Sequence, residues 1–511
     1  MCVLAWYNIR RARQASTDTF EFHVISTYYL QVVLYLKATP FDIHYNINIK
    51  TFRLDQIIAD IMGRKGGKKP KQSGGSALDS LGSEFSDLFK TLPPIKRSEL
   101  TKVVEKLFQV SSNLTSEPTT PAKQWEEFVE ISSLVEKVRT IESGHSMCRT
   151  LPDRKNAIKP FLAWLSGLGA VISGVEVGDY GDQGLGLRVA KDIKEGEEVI
   201  RIPQKAMMSV DTAKSSSIGT LIERDPLLQT MPNVVLAVHL LIERNSPASI
   251  WEPYINTLPH SYTTVLYFTP TEMEELKGSP AMEDALKQYK FVARQYAYFY
   301  RLFANTMLKD YLTYDEYRWA VSTVMTRQNL VPGKETSSAI NSLIPFWDLA
   351  NHDNGQLSTD FDPDTPATVC LAQRDFSQGE QFTIFYGVRA NCDLLIHNGF
   401  VFADNQTDCL TVRLGVAKTD PLAASRLALL ERLGINSQKF YLRRTEEPLD
   451  KKLVAFLRVL QMEQAAIQEY QDKDIEESRK LLDLEVTKLS FQKLICRYYF
   501  DIRSQLSWTG R

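Results

Sequence analysis

Cysteine is scarce and scattered in this 511-residue chain. The six cysteines include no C-x-x-C pair, and they are Cys2, Cys148, Cys370, Cys392, Cys409 and Cys496. A disulfide framework and a zinc site both need paired or clustered thiols, so neither is expected. Free thiols fit a reducing compartment, and the sequence therefore predicts a cytoplasmic protein.

The chain also lacks an excess of charge and a long apolar run. Its formal net charge is −2, so no global field draws it towards nucleic acid or a membrane surface. The longest apolar stretch, residues 24–36, is interrupted by Ser26, Thr27 and Gln31, and no small-residue cleavage site accompanies it. An apolar content of 43% with 24% charged residues is typical of a globular protein, here with two to four domains.

The first 98 residues differ from the rest. Residues 1–61 alternate β-type residues, and we interpret them as an atypical extension upstream of a usual start at Met62. Residues 62–98 begin with the basic run MGRKGGKKPKQSGGS, which predicts a disordered tail. A solvated tail is the favoured interpretation, while a nuclear signal or a nucleic-acid contact is the alternative.

Helical periodicity follows. Between residues 99 and 139 apolar residues recur at intervals of three and four, which predicts two amphipathic helices joined by the turn-rich TSEPTTPAK. We expect residues 99–150 to form a helical brace for the next domain. Residues 160–168 predict a further short helix.

Two distant stretches predict β-structure. Residues 184–203 have two apolar-alternating runs around a Lys-Glu-Gly-Glu turn, and residues 370–387 have a similar pattern with the same D-[IF]-x-x-G-E core. We interpret each as a β-hairpin of one β-domain, residues 151–402. A helical insertion at about 210–340 interrupts it, with helices predicted at residues 234–244, 282–303 and 314–325.

The last part of the chain is predicted to be helical. A short helix follows Gly387, and HNGFVF is predicted to be another strand. Helical spacing then covers residues 421–433, 449–461 and 475–500, within a domain spanning 403–511. The closing QLSWTGR neither caps nor completes a helix, so we expect a helical domain that is cut short.

The most informative stretch for function is residues 341–355, NSLIPFWDLANHDNG. An apolar run there meets polar side chains that donate and accept hydrogen bonds, as in a pocket for a ligand that is part apolar and part polar. TRQN at residues 326–329 and FTIFYG at residues 382–387 accompany it.

Bland interpretations remain open for single residues. The glycines at residues 181–186 precede a strand and not a helix, which disfavours a dinucleotide loop. His352 and His397 are better explained as hydrogen-bonded structural histidines than as metal ligands, and Tyr386 alone would be a core tyrosine.

Taken together, the motifs resemble a known family. GLGLRVAKDIKEGE, a helical insertion, RQN, WDLANH, GEQFTIFYG and HNGFVF occur in the order found in SET methyltransferase domains. More narrowly, residues 115–462 resemble the Rubisco large-subunit methyltransferase-like branch, and within it the actin-histidine N-methyltransferases, through FWDLANH, YAYFY and EYRWAVSTVMTRQN. The resemblance implies an α+β fold: a SET β-fold with a large helical insertion, followed by an all-α substrate-binding domain. It implies no metal, because this branch lacks zinc modules.

The resemblance also implies S-adenosylmethionine as the methyl donor. It places these residues around the cofactor: Arg154, Gln183, Leu185, Arg327, Asp348, Asn351, His352, Tyr386, Asn398 and Phe400. Phe400 would pack on the adenine. The sequence departs from the family pattern at Gln183, usually Glu, at Leu185, usually Phe, and at Asn398, usually Ser.

The nucleophile's lone pair distinguishes two substrates. Removing the proton from a lysine with a pKa of about 10.4 costs roughly 4 kcal/mol of free energy at pH 7. A histidine with a pKa of about 6.5 is already mostly neutral at this pH. Histidine needs one bare and one protonated ring nitrogen, which a side-chain amide enforces by accepting from the protonated one. The resemblance places Asn329 there, with Trp347 as a flat wall and Tyr386 shaping the methyl-transfer channel. The alternative is that Asn329 caps a helix and Trp347 is core.

The resemblance thus implies methyl transfer to the tele ring nitrogen of a histidine in actin. Gln328 and Arg389 are predicted to hold the flanking peptide. A protein-lysine methyltransferase of the same branch is the alternative, and a catalytically weak protein-binding isoform is another. We expect a monomer that binds actin, with no metal, membrane or nucleic acid.

Overall fold

A computed structural model describes residues 92–113, 120–145, 148–304, 311–333, 339–417, 419–436, 439–443 and 450–483. The predictions for residues 1–61 and for most of 62–98 lie outside these ranges, as do residues 484–511. The chain divides into two compact units, with described residues 92–405 in one and 406–483 in the other. No helix in the described ranges has the length and hydropathy that crossing a membrane requires.

Two helices are present where periodicity predicts them. Helix α1 spans Pro94–Ser112 and helix α2 spans Pro121–Glu142. The Thr120 hydroxyl accepts from the Lys123 amide, which caps the start of α2. Both helices bury an apolar stripe against each other and against the long helix of the insertion.

The next helix begins earlier than its periodicity predicts. Helix α3 spans Arg154–Gly167, and the Asp153 carboxylate accepts from the amides of Lys155 and Asn156. This N-cap adds two turns to the predicted element. The cap also places Arg154 at the first helical position.

The β-domain consists of two four-stranded sheets. One has the order β1-β4-β10-β9 and the other β2-β3-β11-β8. Their strands are β1 Val171–Ile172, β2 Val175–Asp179, β3 Leu185–Val189, β4 Glu198–Pro203, β8 Asn351–His352, β9 Thr359–Asp362, β10 Ala367–Leu371 and β11 Gln381–Ile384.

The two predicted hairpins are wrong, although the β-structure is correct. Strands β3 and β4 lie in different sheets, and so do β10 and β11. The two repeated motifs pair with each other instead, because Ile193 and Phe376 exchange both main-chain hydrogen bonds, at 3.0 and 2.9 Å. Each motif crosses from one sheet to the other at this point. Periodicity marks a strand, but it does not identify a distant partner.

The insertion is helical, as predicted, and it also contributes a small sheet. Its helices are α4 Val210–Lys214, α5 Gly219–Arg224, α6 Pro226–Thr230, α7 Pro232–Asn245, α8 Glu252–Ile255, α9 Pro270–Glu274, α10 Ala281–Leu302 and α11 Tyr314–Arg327. The small sheet has the order β5-β7-β6, from β5 Met208–Ser209, β6 Gln328–Pro332 and β7 Ala339–Leu343.

Helix α12, Asn391–Asn398, completes the first unit and ends at Gly399 in the left-handed conformation. The predicted HNGFVF strand is wrong, because this helix takes its first two residues and no strand follows among residues 399–402. The glycine turns the chain so that Phe400 faces the aromatic cluster described below.

The second unit is helical apart from one antiparallel strand pair. It contains β12 Cys409–Arg413, α13 Ala423–Arg432, β13 Lys439–Arg443, α14 Lys451–Gln461, α15 Gln464–Asp472 and α16 Ile475–Asp483. The three helices predicted from periodicity are found within one or two residues at their starts. Residues 484–500 of the last predicted helix lie outside the described ranges.

Candidate active site

Two residues of the WDLANH motif form the shortest strand of the second sheet. Strand β8 runs parallel to β11, with Asn351 opposite Thr383 and His352 opposite Ile384. The Asp353 amide donates to the Ile384 carbonyl at 3.1 Å, which anchors the end of the strand. This pairing joins two motifs that are 30 residues apart in the chain.

The His352 ring lies in an aromatic cluster. Its Nδ1 accepts from the Tyr386 amide at 3.2 Å, and four rings surround it with centroid distances of 5.1 to 6.2 Å. These rings are Phe385, Tyr386, Phe400 and Phe402. Burial lowers the pKa of His352, so the ring is neutral at pH 7.

Tyr386 follows the end of β11, and its hydroxyl donates to the Ala350 carbonyl at 2.7 Å. Burial raises the pKa of Tyr386 to about 12. The phenol is therefore protonated at neutral pH and acts as a fixed donor. Because its hydrogen is committed to Ala350, a hydroxyl lone pair remains for a ligand.

A buried charge network borders this aromatic cluster. The Arg327 guanidinium at the end of α11 lies 3.4 Å from the Asp348 carboxylate, whose side chain is only 3% exposed. The Tyr254 hydroxyl donates to the same carboxylate at 2.6 Å. Burial works against the charged form of Arg327, but Asp348 and two tyrosine hydroxyls raise its pKa, so this arginine carries its charge.

Arg154 adds a second cation to the network. Its Nε donates to the Thr257 carbonyl at 2.7 Å, and burial together with Arg327 lowers its pKa to about 10. At neutral pH two guanidinium groups therefore face one carboxylate. This excess of positive charge in a partly enclosed site favours an anionic ligand such as a carboxylate.

The glycine-rich loop lies beside Arg154. Gly184 has a φ of +75°, and a Cβ there would be 3.6 Å from Arg154 Nη1. Gln183 is exposed in the short 3-10 helix before it, and Leu185 is half-buried at the start of β3. The loop therefore offers main-chain groups to a ligand, whatever the side chains at its two variable positions.

Helix α11 leads directly into strand β6, which carries two residues predicted to bind substrate. The Asn329 amide nitrogen donates to the Arg327 carbonyl at 3.1 Å, so Asn329 does satisfy the end of the helix. Its Oδ1 accepts no hydrogen bond from the described residues. Gln328 Oε1 accepts from Asn341 at 2.8 Å, which fixes the second amide.

Trp347 is 4% exposed, so it packs in the core, which is the alternative to a substrate-binding role given for it above. The residue before it, Phe346, has a φ of +70°. Among the described residues no other non-glycine residue has a positive φ. Such a conformation is strained in a bulky residue and is typical of functional sites. Phe346 directly precedes the 3-10 turn Trp347–Leu349, which contains both Trp347 and Asp348.

Arg389 and Asn398 contact each other. Arg389 Nη1 donates to Asn398 Oδ1 at 3.0 Å, and Asn398 Nδ2 donates to the Thr326 carbonyl at 3.4 Å. Asn398 therefore links the segment after β11 to the end of α11. This contact ties the predicted peptide-binding arginine to a predicted cofactor residue.

Tyr254 and Gln381 contribute to the site without having been predicted from the sequence. Tyr254 donates to Asp348, and Gln381 Nε2 and Asn351 Nδ2 would lie 2.8 and 2.9 Å from a Cβ at Gly186. Neither residue belongs to a recognisable motif. No group of three or more potential metal ligands occurs within the described part of the chain.

Comparison with known families agrees with this architecture. The SET domain family matches residues 184–387, and the Rubisco LSMT substrate-binding family matches residues 417–496. The class is therefore a SET-domain protein with a Rubisco LSMT-type substrate-binding domain.

Individual relatives narrow the assignment. The chain is 40% identical over 416 residues to the actin-histidine N-methyltransferase of Danio rerio, covering 80% of this chain and 67% of that protein. It is 41% identical over 417 residues to the protein of the same name from Homo sapiens, with the same coverage. The chain belongs to the family of these actin-histidine N-methyltransferases.

Solved structures support the fold. The SET domain of LSMT bound to lysine and AdoHcy matches with a TM-score of 0.54 at 20% identity, covering 67% of this chain and 79% of that one. Rubisco LSMT bound to AdoMet matches with a TM-score of 0.53 at 21% identity, covering 66% and 78%. The predicted α+β SET fold is confirmed.

Proposed function

We propose that this protein transfers a methyl group from S-adenosylmethionine to the tele nitrogen of a histidine in actin. The family to which the chain belongs supports the reaction, and actin is the substrate named for the relatives. We also propose a cytoplasmic location, with the nucleus as the alternative. The assignment to histidine depends on one observation: the Asn329 amide is fixed with an unused oxygen.

The site fits the cofactor by its charges. S-adenosylmethionine supplies an electrophilic methyl group on a sulfonium, and it carries a carboxylate, an ammonium and an adenine. Arg154 and Arg327 outnumber the neighbouring Asp348 and would hold the carboxylate. Phe400 and the main chain at His352 would hold the adenine beside the aromatic cluster.

The ammonium would be held by Asn351. An ammonium requires an acceptor, and Asn351 Oδ1 is one; Asn351 Nδ2 is buried without a partner among the described residues. Main-chain groups of the Gln183–Leu185 loop would complete the cradle. The departures from the family pattern at Gln183 and Leu185 therefore change side chains, whereas the cofactor would contact the main chain.

Substrate selection follows from Asn329. A neutral imidazole has one protonated nitrogen, and Asn329 Oδ1 would accept from it, leaving the tele nitrogen bare. Since Asn329 Nδ2 already donates to Arg327, the amide cannot turn without losing that bond. The site therefore prefers one tautomer before the substrate arrives.

Tyr386 would shape the path of the methyl group. Its hydroxyl is fixed by Ala350, and the ring lies 5.1 Å from His352. In-line transfer from a sulfonium depends on positioning and exclusion of water more than on acid or base chemistry. A protonated phenol with an available lone pair suits that task.

The direct test is methylation of intact actin. The full chain would be incubated with purified actin and isotope-labelled S-adenosylmethionine, and modified residues would be located by mass spectrometry. A single methylated histidine is the expected result. Label on lysine alone would contradict the proposal, and so would the absence of label while an established relative labels the same actin.

A further inference from the structure

Two side-chain amides meet over one glycine of the central sheet. Gly186 lies in β3, and a Cβ at that position would be 2.8 Å from Gln381 Nε2 and 2.9 Å from Asn351 Nδ2. Gln381 comes from β11 and Asn351 from β8, the next two strands of the sheet. A Cβ there would also be 2.9 Å from Tyr180 Cδ2, so Gly186 leaves the room that both amides and this ring occupy.

Both amide nitrogens are buried, and neither has a hydrogen-bond partner among the described residues. Two NH₂ groups directed at one point repel each other, and leaving both without an acceptor costs about 1–3 kcal/mol each. A half-turn of one amide exchanges its nitrogen and oxygen with no change in shape. Such a turn directs one acceptor and one donor at the space beside Gly186.

Which of the two amides turns depends on which atom of Asn351 must face the ligand. The cofactor's ammonium needs an acceptor, so Asn351 must direct Oδ1 towards the ligand and its buried Nδ2 inwards. Gln381 must then direct its oxygen towards Asn351. If Asn351 turned instead, it would present an N–H group to an ammonium, and the two donors would repel each other.

We propose that Gln381 is a positioning residue for the cofactor site: its side-chain oxygen accepts from Asn351 Nδ2 and fixes Asn351 Oδ1 towards the ammonium of S-adenosylmethionine. The inference rests on the proposed function, because it needs that cofactor. Gln381 does not touch the cofactor or the methyl group; it acts through Asn351.

Thr383 provides a matched control. It lies on the same strand as Gln381 and directly opposite Asn351, and its Oγ1 is also buried without a partner among the described residues. Thr383→Val removes a polar atom at the same depth without removing the proposed acceptor.

The experiment measures cofactor affinity of the full chain by titration calorimetry, with the thermal unfolding midpoint as the folding control. Gln381→Met is expected to weaken binding of S-adenosylmethionine about tenfold with an unchanged unfolding midpoint. Gln381→Glu, which keeps an acceptor, should bind within about threefold of the unaltered protein, as should Thr383→Val. With Asn351→Ala already present, Gln381→Met should cause no further loss.

Three results would overturn the role. The first is that the Gln381→Met variant binds S-adenosylmethionine as tightly as the unaltered protein. The second is that Gln381→Met causes the same tenfold loss of affinity when Asn351→Ala is already present. A loss in a folded Gln381→Glu protein would also exclude the acceptor role, and this arm decides if the Met variant does not fold. If the unaltered protein bound no S-adenosylmethionine, the proposed function would fail first and the role with it.

Discussion

The Asn329 side-chain amide donates to the main-chain carbonyl of Arg327, two residues before it. This bond joins the predicted cofactor side of the site to the predicted substrate side, because Arg327 ends α11 and Asn329 is the second residue of β6. It fixes which atom of Asn329 faces outwards. The helix-end role and the substrate role are therefore compatible in one side chain.

Replacing Asn329 should reduce methylation without affecting the cofactor. Asn329→Ala removes the acceptor for the protonated ring nitrogen, and we expect kcat/KM for a histidine peptide to fall roughly ten- to a hundredfold. Asn329→Asp keeps an acceptor and should retain more activity than the alanine variant. Steady-state kinetics and calorimetry of cofactor binding separate the two effects. Unchanged histidine methylation by Asn329→Ala would remove the tautomer argument.

The Tyr386 hydroxyl should matter for the rate rather than for folding. Tyr386→Phe removes the bond to Ala350 and the lone pair beside the methyl path, and we expect kcat to fall by about ten- to a hundredfold. Tyr300→Phe is a matched control, because that hydroxyl contacts Thr101 in the brace. Single-turnover rates report the chemical step. Equal rates for both variants would exclude a catalytic role for the Tyr386 hydroxyl.

Asp348 should stabilise the cofactor-free protein. Asp348→Asn leaves Arg327 and Arg154 without a buried counter-charge, which typically costs about 3–5 kcal/mol of unfolding free energy. Tyr254→Phe removes one hydrogen bond to the same carboxylate and should cost about 1–3 kcal/mol. Urea unfolding measures both changes. An Asp348→Asn protein as stable as the unaltered one would show that the two arginines do not depend on it.

Glu142 predicts a pH dependence away from the active site. It is 6% exposed at the end of α2, where the Tyr296 hydroxyl and the Tyr314 amide donate to it. Burial raises its pKa from 4.5 to about 8, despite these two hydrogen bonds. The folded protein therefore holds this proton more tightly than the unfolded chain. Its contribution to stability is fully present below about pH 4.5 and is lost as the pH rises through 8.

Glu142→Gln should remove that loss. An amide keeps an acceptor for the tyrosine groups and does not ionise. The unfolding free energy of the variant, relative to that of the unaltered protein, should therefore rise by roughly 2–4 kcal/mol between pH 5 and pH 8. Urea unfolding at both pH values gives the difference. A difference that stays constant with pH would mean that Glu142 titrates normally in the folded protein.

Local sequence patterns predicted much of the fold but not its pairing. The long helices follow from three-and-four periodicity, and α10 and α11 are found almost as predicted. The hairpins were wrong because Ile193 pairs with Phe376 across the insertion. Local alternation contains no information about a partner 183 residues away.

The candidate site residues that could be predicted from the sequence are those that lie in recognisable motifs. Asn351, His352 and Tyr386 lie in contiguous, recognisable stretches, and the structure brings them together. Tyr254 and Gln381 were missed because each is a single polar residue in an ordinary segment. Only packing shows that Tyr254 donates to Asp348 and that Gln381 and Asn351 both lie beside Gly186.

The most direct measurement compares two actin-derived peptides that differ only at the target position, one with histidine and one with lysine. The purified full chain would be assayed with labelled S-adenosylmethionine, alongside a calorimetric measurement of cofactor binding. The account predicts label on the histidine peptide and none on the lysine peptide at pH 7. Preferential labelling of the lysine peptide would show a lysine methyltransferase of the same branch. Cofactor binding with neither peptide labelled would contradict catalysis and favour a protein-binding isoform.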